Sequence, residues 1–215
     1  PAAAPPPTPA AAAASKPPPP WSPSDPPPAA LPPLRPFTSP PVQRATLVNG
    51  LRILYVPDRE TPTVRGVLIM RGGARAAPAG RVGLASLAAS VQRSGGSASH
   101  PAAAFDAECD ALAATIEAGA SPDATSIGFE GLAPDLPAIA GLVGELVTQP
   151  ALPPAKLALA QASAVDGLRH RDDSPGALPG REAAKLIYGP ASVHARTATV
   201  EGVMGTTPSD LRAYL

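Results

Sequence analysis

The chain has 215 residues, and its 17 Lys and Arg balance 17 Asp and Glu, so its formal net charge is zero. A neutral chain has no field that would attract nucleic acid or an anionic membrane surface. The single cysteine, Cys109, excludes an internal disulfide framework and a cysteine-rich metal site. No run of 18 apolar residues is present, so no membrane-spanning helix is predicted.

Residues 1–42 are dominated by proline and alanine, and 18 of the chain's 32 prolines precede residue 42. Because proline lacks a backbone donor and the segment has little to bury, we predict a disordered linker or tether. A ligand for a proline-binding module around Trp21 is the alternative. The chain begins at Pro1, which fits a removed signal segment or trimming. This leader favours an exported protein of the bacterial periplasm or cell envelope.

The folded part is predicted to begin near Gln43 with β-structure. Asn49-Gly50 separates residues 46–48 from residues 51–56, and this dipeptide between two runs of strand-forming residues indicates a hairpin. Residues 63–71 have the composition of a third, more buried strand, which ends at the glycine pair that follows it.

A helix is predicted next, over residues 82–93. Its apolar residues repeat at the spacing of one helix face: Leu84, Leu87, Ala88 and Val91. Successive helical residues are about 100° apart, so Ser86, Ala89 and Ser90 are predicted to lie on the opposite side.

The remaining elements complete an α+β pattern. They are a helix from Pro101 to about residue 113, strands at 115–120 and 125–131, and helices at 136–147, 153–171 and 177–188. Thr207 and Pro208 open a last helix, so close to Leu215 that we expect the natural protein to continue. The order predicts a mainly antiparallel sheet with helices packed on one face, preceded by the disordered Pro/Ala-rich tail.

Several of these segments, taken together, resemble the N-terminal half-module of the pitrilysin/insulinase metallopeptidase family. The matching segments, in order, are residues 49–53, 72–85, 105–106, 123–125, 171–175 and 186–190. The resemblance implies that residues 43–215 form one peptidase-like half-module. Since family members are clamshells of two similar halves, sometimes on separate chains, it also implies that a second half-module follows.

The zinc motif of the family is absent from this chain. Active members carry His-x-x-Glu-His on the first helix, where two imidazoles four residues apart bind one Zn²⁺ and the Glu acts as base. The matching positions here are Ser86, Ala89 and Ser90. A Glu from a later helix supplies the third ligand, and its place falls at Gly167, with Asp166 the only acidic neighbour. The resemblance therefore implies no metal, no cofactor and no catalysis by this chain alone, with zinc only in a partner.

Other residue types offer no obvious substitute for this motif. The three histidines, His100, His170 and His194, are not spaced to share a metal, so solvated or capping roles are the simpler interpretation. Ser86 and Ser90 lie in no nucleophile elbow or Ser-Lys motif, and small helix-packing residues are the simpler interpretation for them.

Peptide binding is the family property that can survive these changes. In active members an edge strand beside the zinc helix accepts substrate as an added β-strand, through main-chain hydrogen bonds that tolerate side-chain change. The matching strand is residues 115–120, with Glu117, Ala118 and Gly119 as candidate binding residues. An ordinary sheet strand is the alternative.

These observations favour a non-catalytic subunit that contributes chamber wall and peptide binding to a homologous, zinc-bearing peptidase subunit. Its partners are then that subunit and peptide substrates, with no nucleic acid and no transmembrane segment. A structural or interaction subunit of a larger complex, without a role in proteolysis, is the alternative. An active enzyme of another kind is the third hypothesis, and no motif in the sequence favours it.

Overall fold

The structure is a computed structural model and describes residues 39–215. Of the predicted linker or tether, residues 1–38 lie outside the described part. The chain divides into a unit that ends at Pro57 and a larger unit from Asp58 to Leu215. In the described part, no helix is both long and apolar enough to cross a membrane.

The first unit contains an antiparallel hairpin. Its strands are β1 (Gln43–Thr46) and β2 (Arg52–Tyr55). The Leu47 N–H donates to the Leu51 carbonyl at 2.8 Å, and the Gly50 N–H donates to the Leu47 carbonyl at 2.9 Å. Gly50 has φ +84°, the left-handed conformation that such a three-residue turn requires. The predicted hairpin is confirmed, but its first strand ends earlier than expected because Leu47 and Leu51 close the turn.

The larger unit contains three strands and eight helices in its described residues. The strands are β3 (Thr63–Arg71), β4 (Thr115–Ala120) and β5 (Ala124–Leu132). The helices are α1 (Gly73–Ala76), α2 (Leu84–Gly95), α3 (Ala102–Ala111), α4 (Leu136–Thr148), α5 (Pro154–Arg169), α6 (Ala177–Tyr188), α7 (Val200–Met204) and α8 (Pro208–Tyr214). A turn of 3-10 helix, Ala133–Asp135, precedes α4.

The three strands form an antiparallel sheet in the order β3-β5-β4, so β4 lies at an edge. Side chains alternate between the two faces of a sheet. Ile127 of β5 lies opposite Leu68 of β3 and Ala118 of β4, and all three belong to one apolar cluster. Helices cover that face, and the predicted α+β fold is confirmed.

Two apolar cores hold the unit together. The first lies between the sheet and the helices α3 and α4, and its buried members are Phe105, Cys109, Ile116, Ile127, Ile139, Leu142, Val143 and Leu146. Burial raises the pKa of the Cys109 thiol, as expected for a packing residue. The second core lies among α2, α5, α7 and α8, and its buried members are Ala77, Leu84, Leu87, Ala88, Val91, Leu152, Leu157, Val203 and Leu211.

The loop after α2 has a conformation that only glycine adopts without strain. Gly96 has φ +71°, and a Cβ atom there would lie 2.4 Å from the His100 carbonyl oxygen and 2.9 Å from the Ala102 nitrogen. Both contacts are with backbone, which cannot move aside as a side chain can. We expect Gly96→Ala to lower the free energy of unfolding by about 1–3 kcal/mol, measured by urea denaturation.

Gly141→Ala is the matched control. Gly141 lies inside α4, and a Cβ atom there would meet nothing within 4 Å. Alanine favours a helix interior over glycine by about 1 kcal/mol, so this variant should be at least as stable as the parent chain. An equal loss of stability in both variants would contradict the role given to Gly96.

Candidate functional site

A cleft lies between α2 and α5, which run antiparallel. The end of α2 adjoins the start of α5, where the Ala151 N–H donates to the Gly96 carbonyl at 3.0 Å. Farther along, the helices enclose a volume of about 320 Å³. Three parts of the chain line it. They are α2 with the residue before it (Gly83, Ser86, Leu87 and Ser90), α5 (Ala160, Ser163, Ala164 and Leu168), and α7 with the loop before it (Val203 and Ala198).

The predicted zinc positions on α2 differ in burial. Ser86 and Ser90 are exposed and line the cleft, whereas Ala89 is 1% exposed. Ala89 lies about 140° around the helix from Leu84, as predicted, but the buried part of the helix surface extends to it. The physical reason is that α2 packs against β4 as well as against α5 and α8, so more than half of its circumference is buried.

Gly167 lies on the cleft side of α5. At 100° per residue, it falls between Ser163 and Ala164, which both line the cleft. A Cβ atom at Gly167 would meet nothing within 4 Å. Asp166 lies off this face, and its carboxylate is 3.8 Å from the Nε2 atom of His170 in an exposed pair. The helical period thus places position 167, and not its acidic neighbour, beside the cleft.

The lining of the cleft is uncharged. Among its described lining residues the polar side chains are the serine hydroxyls of Ser86, Ser90 and Ser163. In residues 39–215, no group of three or more His, Cys, Asp or Glu side chains is arranged to hold a metal ion. The cleft can accept a small apolar group with one or two hydrogen bonds.

The edge strand β4 packs directly beside α2. The Arg93 guanidinium of α2 donates to the Ile116 carbonyl, which therefore points away from β5. Main-chain groups alternate in direction along an antiparallel strand, so the N–H and C=O groups of Ala118 and Ala120 point to the same free side. The predicted strand and its position beside the helix are confirmed, while the peptide-binding role of Glu117, Ala118 and Gly119 stays a prediction.

A polar cluster joins the end of α2 to α4, and the sequence analysis missed it. Glu145 Oε2 accepts from the Ser97 hydroxyl at 2.6 Å and pairs with His100 Nδ1 at 2.8 Å. Ser97 is fully buried. The hydrogen bond with Glu145 raises the pKa of His100, and the hydrogen bond with His100 lowers the pKa of Glu145. The only local signal for this cluster was a histidine before a helix-opening proline.

The other two histidines also lie beside carboxylates and apart from the cleft lining. His170 Nδ1 is 2.8 Å from Asp173 Oδ2, and His194 Nε2 is 3.8 Å from Asp123 Oδ2. The His194 ring also lies 5.1 Å from the Tyr188 ring, centroid to centroid. The three histidines occupy three separate environments.

No protein-family model matches the sequence, and no curated protein matches it significantly. Solved structures do match in fold. One is a peptidase M16 inactive domain from Pseudomonas fluorescens, with TM-score 0.69 and 24% identity over 80% of this chain and 42% of that one. A protease from Helicobacter pylori gives TM-score 0.68 and 18% identity over 82% of this chain and 43% of that one.

A third similar structure is the periplasmic protease PqqL from Escherichia coli, with TM-score 0.67 and 16% identity. The match covers 80% of this chain and 19% of that one. This chain therefore spans about two fifths of the two shorter proteins and about a fifth of the longest. It has the fold of a domain from these peptidases.

The side chains present in the cleft do not fit a zinc ion. Zinc sites in proteins use imidazole, thiolate or carboxylate ligands. The described residues that line the cleft have none of these, and serine hydroxyls bind Zn²⁺ poorly in comparison. The described lining therefore offers no ligand set for zinc.

The pKa shifts of the polar cluster predict that the free energy of unfolding falls at both ends of the pH range. We call the fall at acid pH the lower limb and the fall at higher pH the upper limb. The contribution of His100, whose pKa is raised, is fully present below its ordinary value of 6.5 and is lost as the pH rises through the raised value. The contribution of Glu145, whose pKa is lowered, is present above its ordinary value of 4.5 and is lost as the pH falls through the lowered value. We expect His100→Gln to remove the upper limb from urea midpoints measured across pH 5–9.

Ser97→Ala is the control for this profile. It removes the hydrogen bond that Ser97 donates to Glu145 and the one it accepts from the His100 N–H, and it keeps the His100 ring. It should therefore cost about 1–3 kcal/mol while the upper limb remains. A parent chain without the upper limb would refute the assignment to His100.

Proposed function

We propose that this chain is a non-catalytic member of the pitrilysin/insulinase family and forms one half of a two-chain protease. A homologous zinc-bearing partner would supply the chemistry, and this chain would supply chamber wall and peptide binding. The observation that carries the proposal is the cleft itself. Ser86 and Ser90 line it, and the helical period places Gly167 on the face of α5 that lines it. These are the positions where the resemblance requires three zinc ligands.

The loss of catalysis follows from what those side chains can do. Hydrolysis of a peptide bond needs an activated water and a group that accepts its proton. Ala89 is a buried methyl at the position of the base. Serine hydroxyls without a neighbouring base are poor nucleophiles, and no His, Lys or carboxylate is among the described residues that line the cleft.

Peptide binding is supported by the edge position of β4. The outward N–H and C=O groups of Ala118 and Ala120 could pair with an extended chain, and such pairing needs no particular side chain. Ala118 and Ala120 have small side chains and are half-buried on the helix-covered face. The added strand would pass beside α2, next to the cleft.

A periplasmic location is part of the proposal. The similar protease from Escherichia coli is described as periplasmic, and the neutral chain has a single, buried cysteine. The location would be tested by fractionation of the source cells.

A structural subunit without a role in proteolysis is the second candidate. The observation that favours it is α6, which has no buried residue. Leu186 is 87% exposed and Ile187 is 71% exposed, near Tyr188 at 58%. An apolar helix surface of this kind is typical of a contact with another protein.

Co-expression with a zinc-bearing homologue from the same cells tests the proposal. We expect the two chains to co-purify, with about one zinc per pair, and to cleave unstructured peptides that neither chain cleaves alone. Co-purification without any cleavage would favour the structural candidate. Cleavage by this chain alone would refute the loss of catalysis.

Restoring the ligands tests whether the cleft is the former zinc site. We expect Ser86→His, Ser90→His and Gly167→Glu together to bind about one Zn²⁺ per chain, measured by titration calorimetry, because all three side chains would project into one cleft. Ala89 is left unchanged since a buried Glu would destabilise the fold.

The matched control combines Ser86→His and Ser90→His with Asp166→Glu. Position 166 lies off the cleft face, so this variant should bind zinc about tenfold more weakly or worse. Equal affinities would show that position 167 is not the third ligand position.

A further inference from the structure

The sheet has a second face, opposite α3 and α4, on which β4 exposes Thr115, Glu117 and Gly119. These residues alternate with Ile116 and Ala118, which face the helices. A shallow groove of about 520 Å³ crosses this face. Glu117 lies at its β4 side, opposite Gly128 of β5, and Val67 of β3 lies beyond.

Glu117 has an uncompensated charge on this face. The nearby Glu130 is paired, since Arg65 donates to it through Nε at 3.0 Å and through Nη2 at 2.5 Å. Glu117 is exposed, and no Lys, Arg or His side chain of residues 39–215 forms an ion pair with it within 4 Å. Its carboxylate is thus available to a charge from outside.

The register of β4 fixes what an added strand would meet. The main-chain groups of Glu117 face β5, so across the free edge Glu117 belongs to a non-hydrogen-bonded pair. In such a pair the two Cα atoms are about 4.5 Å apart and the side chains lie close together. A Cβ atom on Gly119 or Gly128 would meet nothing within 4 Å, so the space beside Glu117 is free for a long side chain.

We propose that Glu117 makes the β4 edge selective for extended peptides that carry Lys or Arg at the position opposite it. This inference rests on the proposed peptide binding and adds the substrate class. Opposite charges at directly opposed positions stabilise strand pairing, and like charges there weaken it. A basic residue on the outer face of the added strand can therefore pair with the Glu117 carboxylate, while an acidic residue is repelled.

A competing role for Glu117 is protection of the edge against aggregation, which exposed charges on edge strands provide. That role predicts no preference among soluble peptides. The two roles differ in one measurable quantity, the ratio of affinities for peptides of opposite charge.

The experiment uses the full-length chain and three fluorescent dodecapeptides rich in Thr and Val. They differ only at two alternate central positions, which are Lys, Gln or Glu. By fluorescence polarisation we expect the Lys peptide to bind about fivefold more tightly than the Gln peptide, and the Glu peptide to bind more weakly than either. Glu117→Gln should abolish this order of affinities, and Glu117→Lys should reverse it.

Glu60→Gln is the control with the same loss of charge, because Glu60 is exposed in the loop before β3 and lies outside the groove. It should preserve the order. If all three peptides bind equally to the parent chain, or if Glu60→Gln abolishes the order as completely as Glu117→Gln, the selectivity is refuted.

Ala118→Pro separates this inference from the proposed function, because it removes the central outward N–H of β4, that of Ala118, and disrupts pairing along the edge. It should abolish binding of every peptide, and N-methylation of the peptides should do the same if the variant does not fold. Binding that survives both changes, or no binding at all by the parent chain, overturns the edge as a peptide site. Binding that both changes abolish, without charge preference, overturns only the role of Glu117.

Discussion

Helix α2 is buried on more than half of its circumference, and the arrangement of the larger unit depends on this packing. Ala85, Ala88 and Ala89 are at most 2% exposed, and their methyl groups let the helix axis approach β4 and its other neighbours closely. Larger side chains there would push the helix away from the sheet. The close approach lets Arg93 reach the main chain of β4 and sets one wall of the cleft.

The two surfaces considered for peptides lie on either side of β4 and differ in chemistry. On the helix side is the cleft, with serine hydroxyls and apolar residues and no charge. On the outer side, Glu117 keeps a free negative charge while the nearby Arg65 and Glu130 neutralise each other. An extended peptide alternates its side chains between the two faces of a sheet, so one bound strand would present every second residue to each surface.

On helix α5, packing residues and the proposed ligand position can be told apart. Its cleft face, with Ala164 and Leu168, contributes to the second core, so this face is under a packing constraint whether or not a metal is bound. Gly167 takes no part in this packing, because a Cβ atom there would meet nothing within 4 Å. The packing residues and the proposed ligand position share one helix face. The packing residues alone stabilise the fold, because they remove apolar surface from water.

Much of the fold was predictable because its elements are long and periodic. The helices at 84–95, 136–148 and 177–188 and the strands at 63–71 and 115–120 were each predicted to within a few residues. The short helices at 73–76 and 200–204 were missed, since four or five residues contain too little of the helical period. The cluster of Ser97, His100 and Glu145 was missed because its members are up to 48 residues apart.

The sequence by itself determined that Ser86, Ala89 and Ser90 share a helix and that none of them has a side chain suited to bind zinc. Both conclusions depend only on local period and on the chemistry of single residues. Only the tertiary structure decided that Ser86 and Ser90 face Ser163 across a cleft, that Ala89 is buried, and that Glu117 has no ionic partner in the described residues. Those facts depend on contacts between residues far apart in the chain, which packing in three dimensions sets and local periodicity does not record.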